Sequence, residues 1–247
     1  MTRPISLADP NLLDGSGRFD LTGRVLVLDL DDTLYLERDF AFSGFAALEP
    51  LVFQRTGQKG FARACRTLFE AGLRGTIFNQ ALAELDAAGE EELIRELVGA
   101  YRAHDPQIAL AADAARFLAR APCASSALIS DGPAGMQRSK VRALGLEERL
   151  GRIVLTGELG PGCGKPHPLG YALVEEWSQR PPEAHVYIAD NAAKDFLEPR
   201  RRGWTTIQIL RPERVHRGAA PTLAHRAHHV VGSLDALALR KSAVGAR

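Results

Sequence analysis

Three carboxylates crowd into four positions of the stretch RVLVLDLDDTLYLE, residues 24–37: Asp29, Asp31 and Asp32. Two carboxylates held about 4 Å apart repel by roughly 4 kcal/mol at an effective dielectric near 20, so a fold that fixes them must offset that repulsion. A cation and a phosphate would do so. Asp29 can act as a nucleophile that splits one hard phosphoryl transfer into two steps through an aspartyl-phosphate. Asp31, one residue further on the same face, can protonate a leaving oxygen and then deprotonate water. Asp29, Asp190 and the backbone carbonyl of Asp31 offer the few hard oxygens that Mg²⁺ prefers. Ser130 and Lys165 are suited to hold phosphoryl oxygens and to stabilise charge in the transition state.

The elements that must position these residues are legible as an alternation. Short apolar runs rich in β-branched residues, RVLVLD (24–29), SALIS (126–130), RIVL (152–155), HVYIA (185–189) and TTIQIL (205–210), are separated by helical segments. That order implies βαβ units and a parallel sheet. Met136, Lys140, Ala143 and Leu144 mark one face of a helix, and Leu173, Val174 and Trp177 the buried side of another. In parallel α/β sheets ligands bind beyond the carboxyl ends of the strands. Asp29, Ser130 and the segment ADNAAKD, with Asp190 and Asp195, all follow strand ends. Residues 37–105 read as helix only, with Phe61, Cys65, Leu68 and Phe69 and then Leu93, Ile94, Leu97, Val98 and Tyr101 at helical spacing. The expected organisation is therefore a discontinuous α/β core, residues 1–36 and 106–247, interrupted by a helical second domain at 37–105.

Taken in order, DLDDT, ISDG, GKPHP and YIADNAAKD resemble the four motifs of the haloacid dehalogenase (HAD) superfamily, most closely its subfamily I phosphatases, over residues 24–231. The resemblance implies a Rossmann-like parallel sheet with the strands of motifs one, two and four side by side, and a helical cap inserted after the first motif. It implies Asp29 as nucleophile, Asp31 as acid and base, and Mg²⁺ between Asp29, the Asp31 carbonyl and Asp190, with Asp195 supporting the metal shell. Ala189 stands where the family usually has glycine, and Asp131 where asparagine is common. An inward-pointing Asp131 would oppose a phosphate, so it is expected to point away.

The activity expected is that of a Mg²⁺-dependent phosphatase acting on a small phosphorylated metabolite, a sugar phosphate or nucleotide. A phosphomutase shares the full residue set. A hydrolytic dehalogenase needs neither Asp31 nor Asp190, and a non-catalytic binding protein would not need complete motifs. Arg74, Tyr101, Arg102 and His104 are the cap residues open to a substrate role. With 31 basic and 30 acidic residues, the 247-residue chain has a net charge of +1, which gives no electrostatic reason to expect nucleic acid or an anionic membrane as partner. No apolar run approaches the roughly 20 residues of a membrane span, and residues 1–23 lack a leader pattern, so a cytoplasmic protein is expected. Three widely spaced cysteines fit reduced thiols. The histidines of HRAHH (225–229) and the arginines at 200–202 and 211–217 are expected to be solvated surface. Oligomeric state is not legible.

Overall fold

The computed structural model describes residues 18–87 and 91–239. Six parallel strands form the central sheet in the order β4-β3-β2-β5-β6-β7. They are β2 (Val25–Leu28), β3 (Ser126–Ser130), β4 (Arg152–Leu155), β5 (His185–Ala189), β6 (Thr205–Ile209) and β7 (His229–Val231). A separate parallel pair, β1 (Phe19–Asp20) and β8 (Leu237–Ala238), joins the two ends of the described chain. All five expected strands are present, and those of motifs one, two and four lie side by side as β3, β2 and β5. β7 was not anticipated.

β2 is buried on both faces, as an apolar run at the centre of a parallel sheet should be. Leu28 pairs with Leu128 on one side and Ile188 on the other, so the three strands end in step. Alternate side chains then enter two cores. Leu26 and Leu28 pack with Phe117 of α5 (Ala112–Leu118) and Val141 of α6 (Ala134–Ala143). Val25 and Val27 pack in the opposite layer with Tyr171 and Val174 of α7 (Leu169–Ser178). A short α8 (Leu197–Arg201) precedes β6. On α7, Val174 is buried while Leu173 and Trp177 are only partly so. On α6, Lys140 is buried as expected, but Gln137 and Val141 are its buried companions and Ala143 is exposed.

Between β2 and α5 the described residues form four helices: α1 (Glu37–Thr56), α2 (Phe61–Glu70), α3 (Ile77–Glu84) and α4 (Glu91–Ala103). Phe45, Leu48, Val52, Phe61, Cys65, Leu82 and Leu97 give them an apolar core of their own. They form the helical insert expected between the first two strands of the sheet. Among the described residues no helix is long and apolar enough to cross a membrane.

Two surface expectations are corrected. Arg211 is buried, because its guanidinium donates to the Thr33 carbonyl and to Asp113 Oδ1, at 2.8 and 2.9 Å. His229 is buried because it lies in β7 and packs on Phe19, 4.7 Å between ring centroids, and the half-buried His228 accepts from the Thr206 backbone N–H. Asp113 in turn accepts from Ser233 Oγ and the Leu234 N–H, so one buried carboxylate ties the loop after β2, the start of α5 and the C-terminal segment together. Removing one member of a buried pair strands its partner's charge and typically costs about 3–5 kcal/mol. Asp113→Ala should lower the stability measured by urea unfolding by about 3 kcal/mol or more. A loss below about 1 kcal/mol would show that the tie is not structural.

Candidate active site

β2 is the switch point of the sheet: the chain winds from it to β3 and β4 on one side and to β5, β6 and β7 on the other. Asp29 leaves the end of β2 with its N–H donating to Ile188 O, and Asp190 leaves the end of β5 beside it. The site therefore occupies the crevice that parallel α/β topology opens at this position.

The three clustered carboxylates have three different sets of partners. Asp32, fully buried, adopts a left-handed conformation (φ 53°), which a short polar side chain tolerates better than most. Its Oδ1 accepts from the Glu37 N–H at the start of α1 and its Oδ2 from the Val215 N–H, so it is a structural tie. Asp31 faces α6. Its Oδ1 meets Lys140 Nζ at 2.6 Å and the Tyr35 hydroxyl, and its Oδ2 accepts from Gln137 Nε2 at 2.8 Å. Burial alone would raise the Asp31 carboxyl, but the charge and hydrogen bond of Lys140, with Tyr35 and Gln137, hold it below the usual range. Asp29 pairs with Lys165, 2.5 Å from Nζ to Oδ1. Burial, opposed by Lys165 and reinforced by Asp195, raises Asp29 to about 6.

Lys165 is enclosed within the site, its side chain 1% exposed. It also lies 2.7 Å from Asp195 Oδ1 and donates to the Tyr187 hydroxyl at 3.0 Å. Burial works against its charge, yet Asp195 and Asp29 raise it well above the usual lysine value. Asp131 is engaged by three partners of its own. Its Oδ1 accepts from the Lys165 N–H and Thr156 Oγ1, and its Oδ2 pairs with Lys194 at 2.8 Å, which anchors the loop that carries Lys165.

Asp29, Asp190 and Asp195 each bring a carboxylate oxygen within 4.8 Å of the others, and all three are buried. Burial and the charges of Asp29 and Asp195 push Asp190 up to about 9, and its Oδ2 has no hydrogen-bond partner among the described residues. A buried orphan oxygen among hard oxygen donors fits a divalent cation such as Mg²⁺, which would relieve the repulsion that otherwise keeps a proton there. Asp31's carboxylate stands outside this cluster, engaged by α6.

Of the expected residues, Asp29, Lys165, Asp190 and Asp195 are brought together. Asp31 and Ser130 meet through Gln137, whose Nε2 donates to both. Gln137, Lys140, Lys194, Tyr35 and Tyr187 were not expected at the site. For the first two a signal existed: two polar residues at i and i+3 on the buried face of α6 require partners. In the cap, Tyr101 packs edge-on against Phe40 and Phe78, His104 is buried with Nδ1 2.6 Å from Tyr101 O, and Arg74 stacks on Phe69. Arg102 is exposed.

Three buried carboxylates and a buried lysine thus gather at the switch point of a parallel sheet that carries a helical insert. The profile of the family described as haloacid dehalogenase-like hydrolase matches residues 24–197. Phosphoserine phosphatase of Thermus thermophilus is 31% identical over 145 residues, a match spanning 57% of each chain. Among solved structures, the HAD family hydrolase of Deinococcus radiodurans with bound phosphate and sodium is similar at a TM-score of 0.60 and 23% identity, over 87% of this chain and 93% of that one. The magnesium-bound HAD-hydrolase YfnB of Bacillus subtilis is similar at a TM-score of 0.59 and 16% identity, over 87% and 96%. The chain belongs to the haloacid dehalogenase-like hydrolase family.

The acidic cluster makes a pH prediction. The unfolded Asp190 carboxyl is ionised above about pH 4, whereas the folded one keeps its proton to about 9, so the native state binds more protons in between. Stability contributed by this group therefore falls as pH rises. Glu37, raised to about 7 by burial and Asp31, acts in the same direction. In EDTA, Tm should drop on the order of 5 °C between pH 7 and 9. Mg²⁺ should restore more at pH 9 than at pH 7, and Asp190→Asn should flatten the slope. A slope unchanged by that substitution would contradict the assignment.

Proposed function

We propose that this protein is a Mg²⁺-dependent phosphatase that hydrolyses a small phosphorylated metabolite, a sugar phosphate or nucleotide, through an aspartyl-phosphate on Asp29. One observation carries the reading: at the switch point of the sheet, Asp29 is buried beside Lys165, Asp190 and Asp195 while Asp31 is held two residues away by α6. The phosphatase similarity over part of the chain supports it.

In this reading an Asp29 oxygen forms a bond to phosphorus as the ester P–O bond breaks, and the leaving oxygen takes a proton from Asp31. Water then attacks phosphorus, gives a proton to Asp31 and frees the Asp29 carboxylate with release of phosphate. With its carboxyl raised only to about 6, Asp29 is largely ionised at neutral pH, as a nucleophile must be. Asp31, held as an anion, is ready for the second step. The first needs the proton that an adjacent anionic phosphate favours. Ser130 and Lys165 support the phosphoryl oxygens and balance their charge. Asp29, Asp190 and the Asp31 carbonyl would hold Mg²⁺, with Asp195 behind them, and the ion would screen the phosphate from the nucleophile and stabilise charge in the transition state. Residues 37–105 act as the cap that encloses the substrate over a core of residues 1–36 and 106–247.

Phosphate release from a panel of sugar phosphates, nucleotides and p-nitrophenyl phosphate, with Mg²⁺ and with EDTA, tests the reading. Release should require Mg²⁺ and should disappear in Asp29→Asn. Asp31→Asn should lose about 100-fold or more in kcat/KM, which reports the steps up to leaving-group release, on alkyl phosphates and much less on p-nitrophenyl phosphate, whose leaving group needs no proton. Equal losses on both would remove Asp31 from leaving-group protonation. Transfer of the phosphoryl group to a second hydroxyl instead of water would make the protein a mutase.

A further inference from the structure

The side chain of Gln137 is fully buried on α6 and belongs to none of the sequence motifs. Its Nε2 donates to Asp31 Oδ2 at 2.8 Å and to Ser130 Oγ at 2.6 Å, so both amide protons are committed. The orientation of the amide follows from the chemistry. Turned over, it would set its carbonyl oxygen against the Asp31 carboxylate. The fold accepts a cost for this orientation, since Gln137 Oε1 is buried with no partner among the described residues.

The contact also dictates what Ser130 can do. A serine hydroxyl has one proton and two lone pairs. The amide of Gln137 occupies a lone pair, and the Ser130 proton donates to no described residue. The hydroxyl is left as a donor beside Asp31, where a phosphoryl oxygen would accept from it. Asp31 has two further partners, Lys140 and Tyr35, so it stays held if Gln137 is lost. Ser130 has no other side-chain partner among the described residues.

We propose that Gln137 is a positioning residue for phosphoryl transfer, orienting the Ser130 hydroxyl as a donor to the phosphoryl group while bracing the Asp31 carboxylate with the same amide. This rests on the phosphatase reading. Binding of inorganic phosphate, measured by calorimetry in Mg²⁺, tests it apart from turnover. Gln137→Met keeps length and loses both hydrogen bonds, and Gln137→Asn keeps the amide but is one methylene too short to reach both partners. Each should weaken phosphate about tenfold, as loss of one good hydrogen bond does, and so should Ser130→Ala. Combined with Ser130→Ala, either Gln137 variant should add less than about twofold, because both act on one hydrogen bond. Multiplying effects in the double variant, or unchanged phosphate affinity in a folded single variant, would overturn the proposal, as would failure of the wild type to bind phosphate. Shared effects on phosphate binding with no ester hydrolysed would instead overturn the phosphatase reading and leave the role of Gln137 standing.

Discussion

The pairing of Lys165 with Asp29 and Asp195 is the interaction on which the rest of the site depends. A lysine with 1% of its side chain exposed would be neutral if alone, because burial removes the hydration that stabilises its charge. Two carboxylates within hydrogen-bond distance reverse that, and the lysine in turn keeps Asp29 from being a protonated acid. The sheet makes the arrangement possible. Asp29 and Asp195 are brought by β2 and by the segment after β5, while Lys165 comes from the loop before α7, fixed there by its backbone bond to Asp131. Asp190 is left without an ion-pair partner among the described residues, and in the proposed reading a divalent cation would sit there.

The same principle separates the carboxylates that the sequence crowds together. Asp32 is satisfied by two backbone N–H groups, Asp31 by Lys140, Tyr35 and Gln137, and Asp29 by Lys165. Adjacent residues thus have one structural purpose and, in the proposed reading, two chemical ones. Lys140 also lies 4.3 Å from the centroid of Phe40 on α1, so the cation that holds Asp31 packs against the first cap helix. Asp31 and the first helix of the insert are thus linked through that side chain.

Much of this was legible in the sequence, for identifiable reasons. β2, β3 and β5 announce themselves because strands buried on both faces must be continuous apolar runs, and the polar residues that end them stand out against those runs. The helical insert was legible from periodicity. β7 was not, because it is three residues long and begins with a histidine whose burial depends on Phe19, over 200 residues away. Arg211 was missed for the same reason: a buried arginine is recognisable only once Asp113 and the Thr33 carbonyl are known to face it. Gln137 and Lys140 lie more than 100 positions from Asp31, so their i, i+3 spacing on one helix face tells that they need partners but not which ones.

The claim at the centre of the account is that Asp29 carries the phosphoryl group between substrate and water. Acid-quenched mixtures of the protein with Mg²⁺ and p-nitrophenyl phosphate, digested and read by mass spectrometry, address it most directly. The account predicts one phosphoryl adduct, on the peptide containing Asp29, released by hydroxylamine as an acyl phosphate must be. Phosphate release with no adduct formed during the first turnover, or an adduct on a peptide without Asp29, would contradict it.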